Sequence, residues 1–320
     1  MSVSASASPS LALIKYWGKL AGGENLPATP SLAVTLDSLR TVTRITSSPD
    51  GAPCDEIRVA GAVQPPERFT AFIDRFRARS GSTQRVTVTS ESTFPTAAGL
   101  ASSSSGFGAL ALGLDAFFRT GMTRRELSAV ARTGSGSACR AVYGGFTVWR
   151  AGAEWAEELV APDHWPELRV LVVVISTDRK PISSRAAMAR TVESSPIYPR
   201  WTDESQAIFE RGVDALLRRD IEALGAAMRE SYLFMFSTMF TARPPVIYWL
   251  PESIALVHEA ERLRQDGIPV FETMDAGPQV KLVTTAGHVG AVLRRVGAVA
   301  PVAEVIVSAA GGAPDVHDER

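Results

Sequence analysis

The sequence FPTAAGLASSSSGF at residues 94–107 places small residues and four consecutive serines between a strand-like run and a helix-like run. Small side chains let backbone N–H groups approach a ligand closely, and serine hydroxyls add further donors. A helix that begins there directs the positive end of its dipole at the loop, which favours a polyphosphate. The chain has no Walker A sequence GxxxxGK[ST]. From these residues alone, phosphate binding and simple tight packing of a small-residue helix are about equally supported.

The rest of the chain predicts strands and helices without a regular βα alternation, which favours the α+β class over a doubly wound sheet. Predicted strands cover residues 31–46, 84–89, 144–150, 168–176, 270–273, 279–284 and 304–308. Predicted helices cover residues 100–118, 123–131, 202–218, 220–240, 251–266 and 289–296. The second of these helices opens on a capping box that runs from Thr123 to Glu126. The polar tail at 311–320 is expected to be frayed.

A domain boundary is predicted near the middle of the chain. With 320 residues, one or two domains are expected. A proline-containing segment at 161–167 precedes an apolar strand, which is typical of a linker. We therefore expect an N-terminal domain of residues 1–166 and a C-terminal domain of residues 167–320.

Composition and charge argue against several kinds of partner. Hydrophobic residues make up 45% and charged residues 21%, as in soluble globular proteins, and the net charge of −1 gives no general attraction to nucleic acid. No apolar run is long enough to span a membrane, and the N-terminus lacks the features of a signal peptide. Cys54 and Cys139 suggest no disulfide framework and fit a reducing cytoplasm. The histidines lack metal-ligand spacing, so no protein metal site is predicted.

Two segments combine cationic groups with hydrogen-bond donors. SLALIKYWGK at residues 10–19 carries Lys15 and Lys19, and ammonium groups are strong partners for phosphate. By itself this segment also fits a strand end with solvated lysines. GSGSACRAVYGG at residues 134–145 surrounds Arg140 with glycines and serines, where a guanidinium could grip a carboxylate or phosphate with two hydrogen bonds. A plain glycine–serine loop is the alternative.

Two later segments have an ordinary and a functional interpretation. KPISSRAAM at residues 180–188 offers two serines and an arginine, and its ordinary interpretation is an N-cap that begins a helix. TMDAGPQVK at residues 273–281 places Asp275 where a strand would end in a sharp turn. A lone acid there usually forms the turn, but beside an anion site it could act as a base or orient a hydroxyl.

Together, these motifs resemble the diphosphomevalonate decarboxylase family of the GHMP small-molecule kinase superfamily. The stretches ALIKYWGK, PTAAGLASS, SGSACRAVYGGF, SSRxxM and MDAGP follow one another in the order of that family, and the resemblance covers nearly the whole chain. It implies a two-domain α+β GHMP kinase fold. The N-terminal ATP-binding domain would be ribosomal-S5-like, and the C-terminal domain would be ferredoxin-like.

The resemblance also implies a reaction. ATP would phosphorylate the tertiary 3-hydroxyl of mevalonate 5-diphosphate, and loss of phosphate with CO₂ would give isopentenyl diphosphate, a step of the mevalonate pathway of isoprenoid biosynthesis. ATP and Mg²⁺ are the expected cofactors, without an all-protein cage for the ion. The expected partners are ATP and a phosphorylated mevalonate, in a cytoplasmic homodimer that binds neither nucleic acid nor membrane.

The residue roles that the resemblance implies fall into three groups. Asp275 would orient or deprotonate the 3-hydroxyl, Lys15 would stabilise the transferring charge, and Arg140 would grip the substrate's carboxylate or adjacent phosphate. The remaining substrate contacts fall to Tyr16, Lys19, Ser135, Ser137, Ser184, Arg185 and Met188. The ATP loop comprises Pro95, Ala98, Gly99, Leu100, Ala101, Ser102, Ser103 and Ser105.

Some positions depart from the family's pattern and leave the substrate open. Ser10 and Gln279 stand where the family usually has Asn, and Thr29-Pro30 replaces Asn-Ser. Ala187 replaces a glycine beside Ser184 and Arg185, the proposed diphosphate clamp. The nearest alternative is therefore the same chemistry on mevalonate 5-phosphate, giving isopentenyl phosphate. A mevalonate-type 3-kinase without decarboxylation is a further alternative, although such kinases typically lack the Asp/Lys pair. A non-catalytic binding module is the outlying option.

Overall fold

The computed structural model describes residues 2–49, 51–94, 102–178 and 180–318. Strands and helices are mixed along these residues, which confirms the α+β class. The strands are β1 (Ser2–Ala7), β2 (Ser10–Ile14), β3 (Ser31–Thr35), β4 (Thr41–Ser47), β5 (Glu56–Val59), β6 (Ala62–Val63), β7 (Val86–Ser92), β8 (Phe146–Trp149), β9 (Glu157–Val160), β10 (Leu168–Val174), β11 (Phe271–Met274), β12 (Val280–Thr285), β13 (Glu304–Ser308) and β14 (Asp315–Asp318). The α-helices are α1 (Glu67–Ser80), α2 (Ser102–Phe118), α3 (Arg124–Gly134), α4 (Ser184–Ser194), α5 (Tyr198–Leu217), α6 (Ile221–Phe240), α7 (Pro251–Gln265) and α8 (Val289–Val299).

These strands form three sheets. The first has the order β14-β1-β4-β7-β5-β6, the second β2-β3-β8-β9 and the third β11-β12-β10-β13. Neighbouring strands are antiparallel except β5 and β7, which run parallel. The first two sheets are built from the N-terminal half, apart from β14, and the third is built from the C-terminal half.

Helix α2 packs closely on the first sheet because its small residues let the two backbones approach. Ala5 of β1 and Ile45 of β4 are fully buried. A Cβ atom at Gly113 would lie 2.8 Å from Ile45 Cδ1, which is closer than real side chains approach. The helix begins at Ser102, directly after the small-residue segment, so this packing fixes where its N-terminus lies.

One apolar core joins the second and third sheets. Leu11 and Leu32 of the second sheet share a single cluster of buried side chains with Val170, Val172 and Phe271 of the third. Strands β2 and β11 both border this core. The residues that follow these two strands therefore come together although they are far apart in sequence.

Two predictions about local structure are wrong. Residues 31–46 form two strands in different sheets because the chain turns between them. Asp37 accepts hydrogen bonds there from the Ser308 hydroxyl at 2.8 Å and from the Ala309 amide at 2.9 Å. The tail, predicted to be frayed over 311–320, is ordered at residues 315–318, since β14 pairs antiparallel with β1 and Asp315 forms an ion pair with Arg40 at 2.8 Å.

The capping box is confirmed, and the predicted apolar strands and long helices are found with small shifts at their ends. Thr123 accepts a hydrogen bond from the Glu126 amide, and the Glu126 carboxylate accepts one from the Thr123 amide at 2.8 Å. Helix α1 and strands β1, β5, β6, β9 and β14 were not predicted. The described part of the chain has no helix long and apolar enough to cross a bilayer.

Candidate active site

Lys15 and Asp275 meet beside the shared core. Lys15 directly follows β2, and Asp275 directly follows β11 in a turn that Gly277 closes with a 2.7 Å hydrogen bond to the Asp275 carbonyl. The Lys15 ammonium donates to Asp275 Oδ1 at 2.8 Å and to the Ala12 carbonyl at 2.8 Å. The Lys15 side chain is 2% exposed and that of Asp275 is 27% exposed, so part of the Asp275 side chain reaches solvent.

An irregular end of β2 directs Lys15 to this position. The pairing of β2 with β3 shifts register between Ala12 and Ile14. Such irregularities re-aim the side chains that follow them and are common next to active sites. The Lys15 amide then donates to the Ser231 hydroxyl of α6 at 2.9 Å, which ties the backbone to the C-terminal half.

Two further lysines surround Asp275, and neither was assigned a role from the sequence. The Lys281 ammonium lies 3.1 Å from Asp275 Oδ2 and its side chain is 3% exposed. The Lys180 ammonium donates to the Ala276 carbonyl at 2.7 Å and to the Ser184 hydroxyl at 2.8 Å. The carboxylate therefore lies in a pocket with an excess of positive charge.

The electrostatics of the pocket favour a charged pair. Burial lowers the pKa of Lys15 to about 8, against the opposing attraction of Asp275, and Lys281 and Arg140 lower it further. Burial alone would raise the pKa of Asp275, but the ammonium groups of Lys15 and Lys281 outweigh it and hold that pKa well below its usual range. Burial and the charge of Lys281 likewise lower the pKa of Lys180.

Arg140 is a buried cation held by two serine hydroxyls. It follows a short 3₁₀ turn at Gly136–Cys139 and is 2% exposed. Its Nη1 donates to Ser31 Oγ at 2.6 Å and its Nε to Ser10 Oγ at 3.3 Å. Ser10, one of the departures from the family's pattern, thus keeps a hydrogen bond to this guanidinium. Burial lowers the pKa of Arg140, but a guanidinium stays charged at neutral pH.

Tyr16 and the serines at 135 and 137 lie next to each other. The Tyr16 hydroxyl is buried and has no hydrogen-bond partner among the described residues, and it lies against Gly136, where a Cβ atom would come within 2.7 Å of it. Burial raises the pKa of Tyr16, so its hydroxyl stays a donor at neutral pH. Ser103 and Ser135 hydroxyls are 3.2 Å apart, which connects this group with the start of α2.

Lys19 is held in place by an asparagine. Its ammonium donates to Asn25 Oδ1 at 2.5 Å, and Asn25 Nδ2 donates to the carbonyls of Arg132 and Thr133 at 2.9 and 3.0 Å. Burial lowers the pKa of Lys19 to about 8, and the nearby charge of Arg185 adds to this effect. Lys19 and Arg185 therefore lie on the same side of the site.

The segment at 180–188 begins α4, as its ordinary interpretation predicts, with Ser183 as N-cap. Ser184 is half-buried, Arg185 is exposed, and Met188 packs beside the cluster that contains Tyr16 and Trp149. Ala187 is fully buried in the C-terminal apolar core. Its methyl group therefore packs among apolar side chains, whereas Arg185 of the same helix is exposed.

The start of α2 borders a cavity of about 200 Å³. Ser102 and Ser103 line it together with Thr41, Phe69 and Phe107. Ser105, by contrast, is fully buried and its hydroxyl lies 2.7 Å from Thr41 Oγ1, so it fastens α2 to β4. The other predicted loop residues lie outside the described residues, namely Pro95, Ala98, Gly99, Leu100 and Ala101.

The described residues contain no group of three or more His, Cys, Asp or Glu side chains placed to hold a metal ion. Cys54 is exposed and Cys139 is buried, and both are free thiols. The fold and the cationic pocket beside a small-residue helix start define the class of protein, a small-molecule enzyme with the GHMP kinase architecture.

Comparison with known proteins places the chain within that class. The diphosphomevalonate decarboxylase-like N-terminal domain matches residues 7–161, and the mevalonate 5-diphosphate decarboxylase C-terminal domain matches residues 170–317. The diphosphomevalonate decarboxylase of Aspergillus fumigatus is 35% identical over 298 residues, which are 84% of this chain and 73% of that relative. The chain belongs to the diphosphomevalonate decarboxylase family.

Solved structures agree with this membership. Mevalonate diphosphate decarboxylase from Staphylococcus aureus superposes with a TM-score of 0.91 at 30% identity, covering 99% of this chain and 98% of that one. A solved complex with MVAPP, AMPPCP and magnesium superposes with a TM-score of 0.91 at 33% identity, covering 99% of each chain.

Proposed function

We propose that this enzyme phosphorylates mevalonate 5-diphosphate at its 3-hydroxyl with ATP and decarboxylates the product to isopentenyl diphosphate. The observation that carries this proposal is the 2.8 Å ion pair of Lys15 and Asp275 in a cationic pocket. A carboxylate that is held ionised on a partly exposed side chain can accept a hydrogen bond from a substrate hydroxyl. The surrounding cations can stabilise the charge of a transferring phosphoryl group.

In the proposed reaction, each proton and each electron pair has a stated destination. Asp275 accepts a hydrogen bond from the 3-hydroxyl and takes its proton as the oxygen–phosphorus bond forms and ADP leaves. The bond between C3 and the new phosphate then breaks with its electron pair on the phosphate. The bond to the carboxyl carbon breaks, CO₂ leaves, and its electron pair forms the double bond. The proton held by Asp275 passes to the departing phosphate.

The substrate's anionic groups have separate partners in this proposal. Arg140 binds the carboxylate, and its two serine contacts orient it. The diphosphate lies between Lys19 and Arg185, whose charges are close enough to affect each other. The supporting contacts fall to Tyr16, Ser135, Ser137, Ser184 and Met188. Ala187 packs in the apolar core, so we do not take its methyl group as an argument for a smaller phosphate group.

We place the nucleoside of ATP in the cavity beside α2. The apolar side of this cavity is formed in part by Phe69 and Phe107, which suit a nucleoside. Ser102 and Ser103 lie where the phosphates would begin. The family resemblance also assigns the phosphates to loop residues that lie outside the described residues, namely Pro95, Ala98, Gly99, Leu100 and Ala101. Mg²⁺ characteristically binds through substrate phosphates. The site fits this mode of binding, because the side-chain oxygens nearby are the hydroxyls of Ser102 and Ser103. When bound, the ion would neutralise charge on the phosphates.

The proposal also covers the domain boundary, the cellular compartment and the oligomeric state. The N-terminal domain would end at residue 166, which lies between the stretches matched by the two family models. The free thiols favour a reducing compartment, the cytoplasm. The enzyme would act as a homodimer, which analytical ultracentrifugation tests directly.

A coupled assay that follows ADP and CO₂ tests the function. Mevalonate 5-diphosphate should give both products in equal amounts, with a higher kcat/KM than mevalonate 5-phosphate. Asp275→Asn should lower kcat at least about 10³-fold, because the oriented acceptor and its charge are both lost. ADP without CO₂ would indicate a kinase, and a preference for the monophosphate would overturn the proposed substrate.

A further inference from the structure

Asp275 is held at both of its carboxylate oxygens. Lys15 contacts Oδ1 at 2.8 Å and Lys281 contacts Oδ2 at 3.1 Å. The two ammonium groups come from different halves of the chain, and both side chains are nearly fully buried. A single lysine contact would leave the carboxylate free to rotate about its bond, whereas two contacts fix the plane of the group.

Lys281 has no evident packing reason to be a lysine. It lies in β12, opposite Val172 of β10 and Thr273 of β11. Val172 and Val283, on the same face of the sheet, belong to the apolar core. A charged group in such a position costs free energy unless it is paired, and Asp275 supplies the opposite charge.

We propose that Lys281 is a positioning residue for the reaction, which fixes the second oxygen of Asp275 and keeps this carboxylate an oriented anion. The inference rests on the proposed function. Lys281 acts through Asp275 and has no assigned contact with the substrate.

The charges that face Asp275 come from several elements. They are Lys15 after β2, Lys281 on β12, Lys180 before α4 and Arg140 after the 3₁₀ turn. With so many cations nearby, Asp275 is a weak proton acceptor. It can take the hydroxyl proton only once bond formation to phosphorus has made that proton acidic. Removal of Lys281 should therefore make Asp275 more basic and less well oriented.

The test is the pH dependence of kcat and kcat/KM for Lys281→Met, Lys281→Arg and the unmodified enzyme with mevalonate 5-diphosphate. Asp275 must be ionised, so a higher pKa moves the acidic limb of the profile to higher pH. In Lys281→Met this limb should move up by about 1–3 pH units. Its kcat at neutral pH should fall about 10–100-fold with a KM within about threefold of the original. Lys281→Arg should keep the limb near its original place.

A matched control is available at β11, the strand that precedes Asp275. Glu272 of β11 faces α6 and α7, where it accepts hydrogen bonds from Arg229 at 2.7 Å and Arg264 at 2.8 Å. Arg264→Met also removes a cation from a buried carboxylate, but away from the pocket. It should lower the urea midpoint of unfolding without moving the acidic limb.

The outcomes separate the two proposals. Absence of CO₂ release by the unmodified enzyme overturns the proposed function, whatever the variants do. An active enzyme whose Lys281→Met variant keeps both its acidic limb and its kcat overturns the role of Lys281. So does an equal shift in Lys281→Arg. Should Lys281→Met not fold, Lys281→Gln, which loses the charge but keeps a donor, carries the same expectation.

Discussion

The titration of Lys15 is the most informative property of any single residue in the site. Lysine has a usual pKa near 10.4. Burial brings the pKa of Lys15 to about 8, although the neighbouring carboxylate opposes that shift. The ammonium form, which balances the transferring charge, therefore begins to be lost just above neutral pH in the free enzyme.

We expect kcat/KM to fall as pH rises through about 8, because Lys15 is charged below its pKa and neutral above it. The pKa of Lys19 is also lowered to about 8, so both lysines contribute to this limb. The pH profile of Lys19→Arg isolates Lys15, since arginine stays charged throughout. A limb that vanished completely in Lys19→Arg would contradict the assignment to Lys15.

Single residues also show what the sequence could and could not reveal. Asp275 and Lys15 stand in recognisable motifs, and the structure brings them into contact. Lys281 could not be assigned, because its place beside Asp275 depends on strand pairing between β11 and β12 and not on a local pattern. For the same reason the hydrogen bond from Arg140 to Ser31 had no signal in the sequence.

Among the elements, α6 shows how a helix is fitted to a sheet. It packs on β11, and a Cβ atom at Gly225 would overlap the ring of Phe271. The helix can approach the strand only because residue 225 has no side chain. This contact supports the strand that ends at Asp275.

Gly225→Ala should lower the free energy of unfolding by about 1–3 kcal/mol, since the Phe271 ring must move out of a packed core. Gly297 in α8 is the matched control, because it is exposed and a Cβ atom there meets nothing within 4 Å. Gly297→Ala should raise the free energy of unfolding by about 0.5–1 kcal/mol through helix propensity. Urea unfolding of both variants measures the contrast, and an equal effect would contradict this account of α6.

Helices and strands could be predicted where the sequence signal lay within the element itself. The capping box set the start of α3, and the apolar run at Leu168–Val174 formed β10. The break between β3 and β4 was missed because Asp37 turns the chain by binding residues 308 and 309, which are distant in sequence. Strand β14 was missed because its four residues are all exposed and only Val316 among them is apolar, so the sequence shows no strand pattern. Only pairing with β1 makes these residues a strand.

At the scale of the whole molecule, the two halves are not independent bodies. The core that contains Leu11 and Leu32 also contains Val170, Val172 and Phe271. Strand β14 returns from the C-terminus to the first sheet. Opening either half would therefore expose apolar surface of the other, which makes partial unfolding unfavourable.

We expect the two halves to unfold together. Hydrogen exchange followed by mass spectrometry at increasing urea would compare peptides from β3 with peptides from β10. Their midpoints should agree within about 0.3 M, as for a single cooperative transition. Peptides from β14, which is exposed at the edge of its sheet, should exchange earlier and serve as the internal control. If β10 opened at clearly lower urea than β3, the shared core would not couple the halves, and the Lys15–Asp275 pair would have to form between separately folding domains.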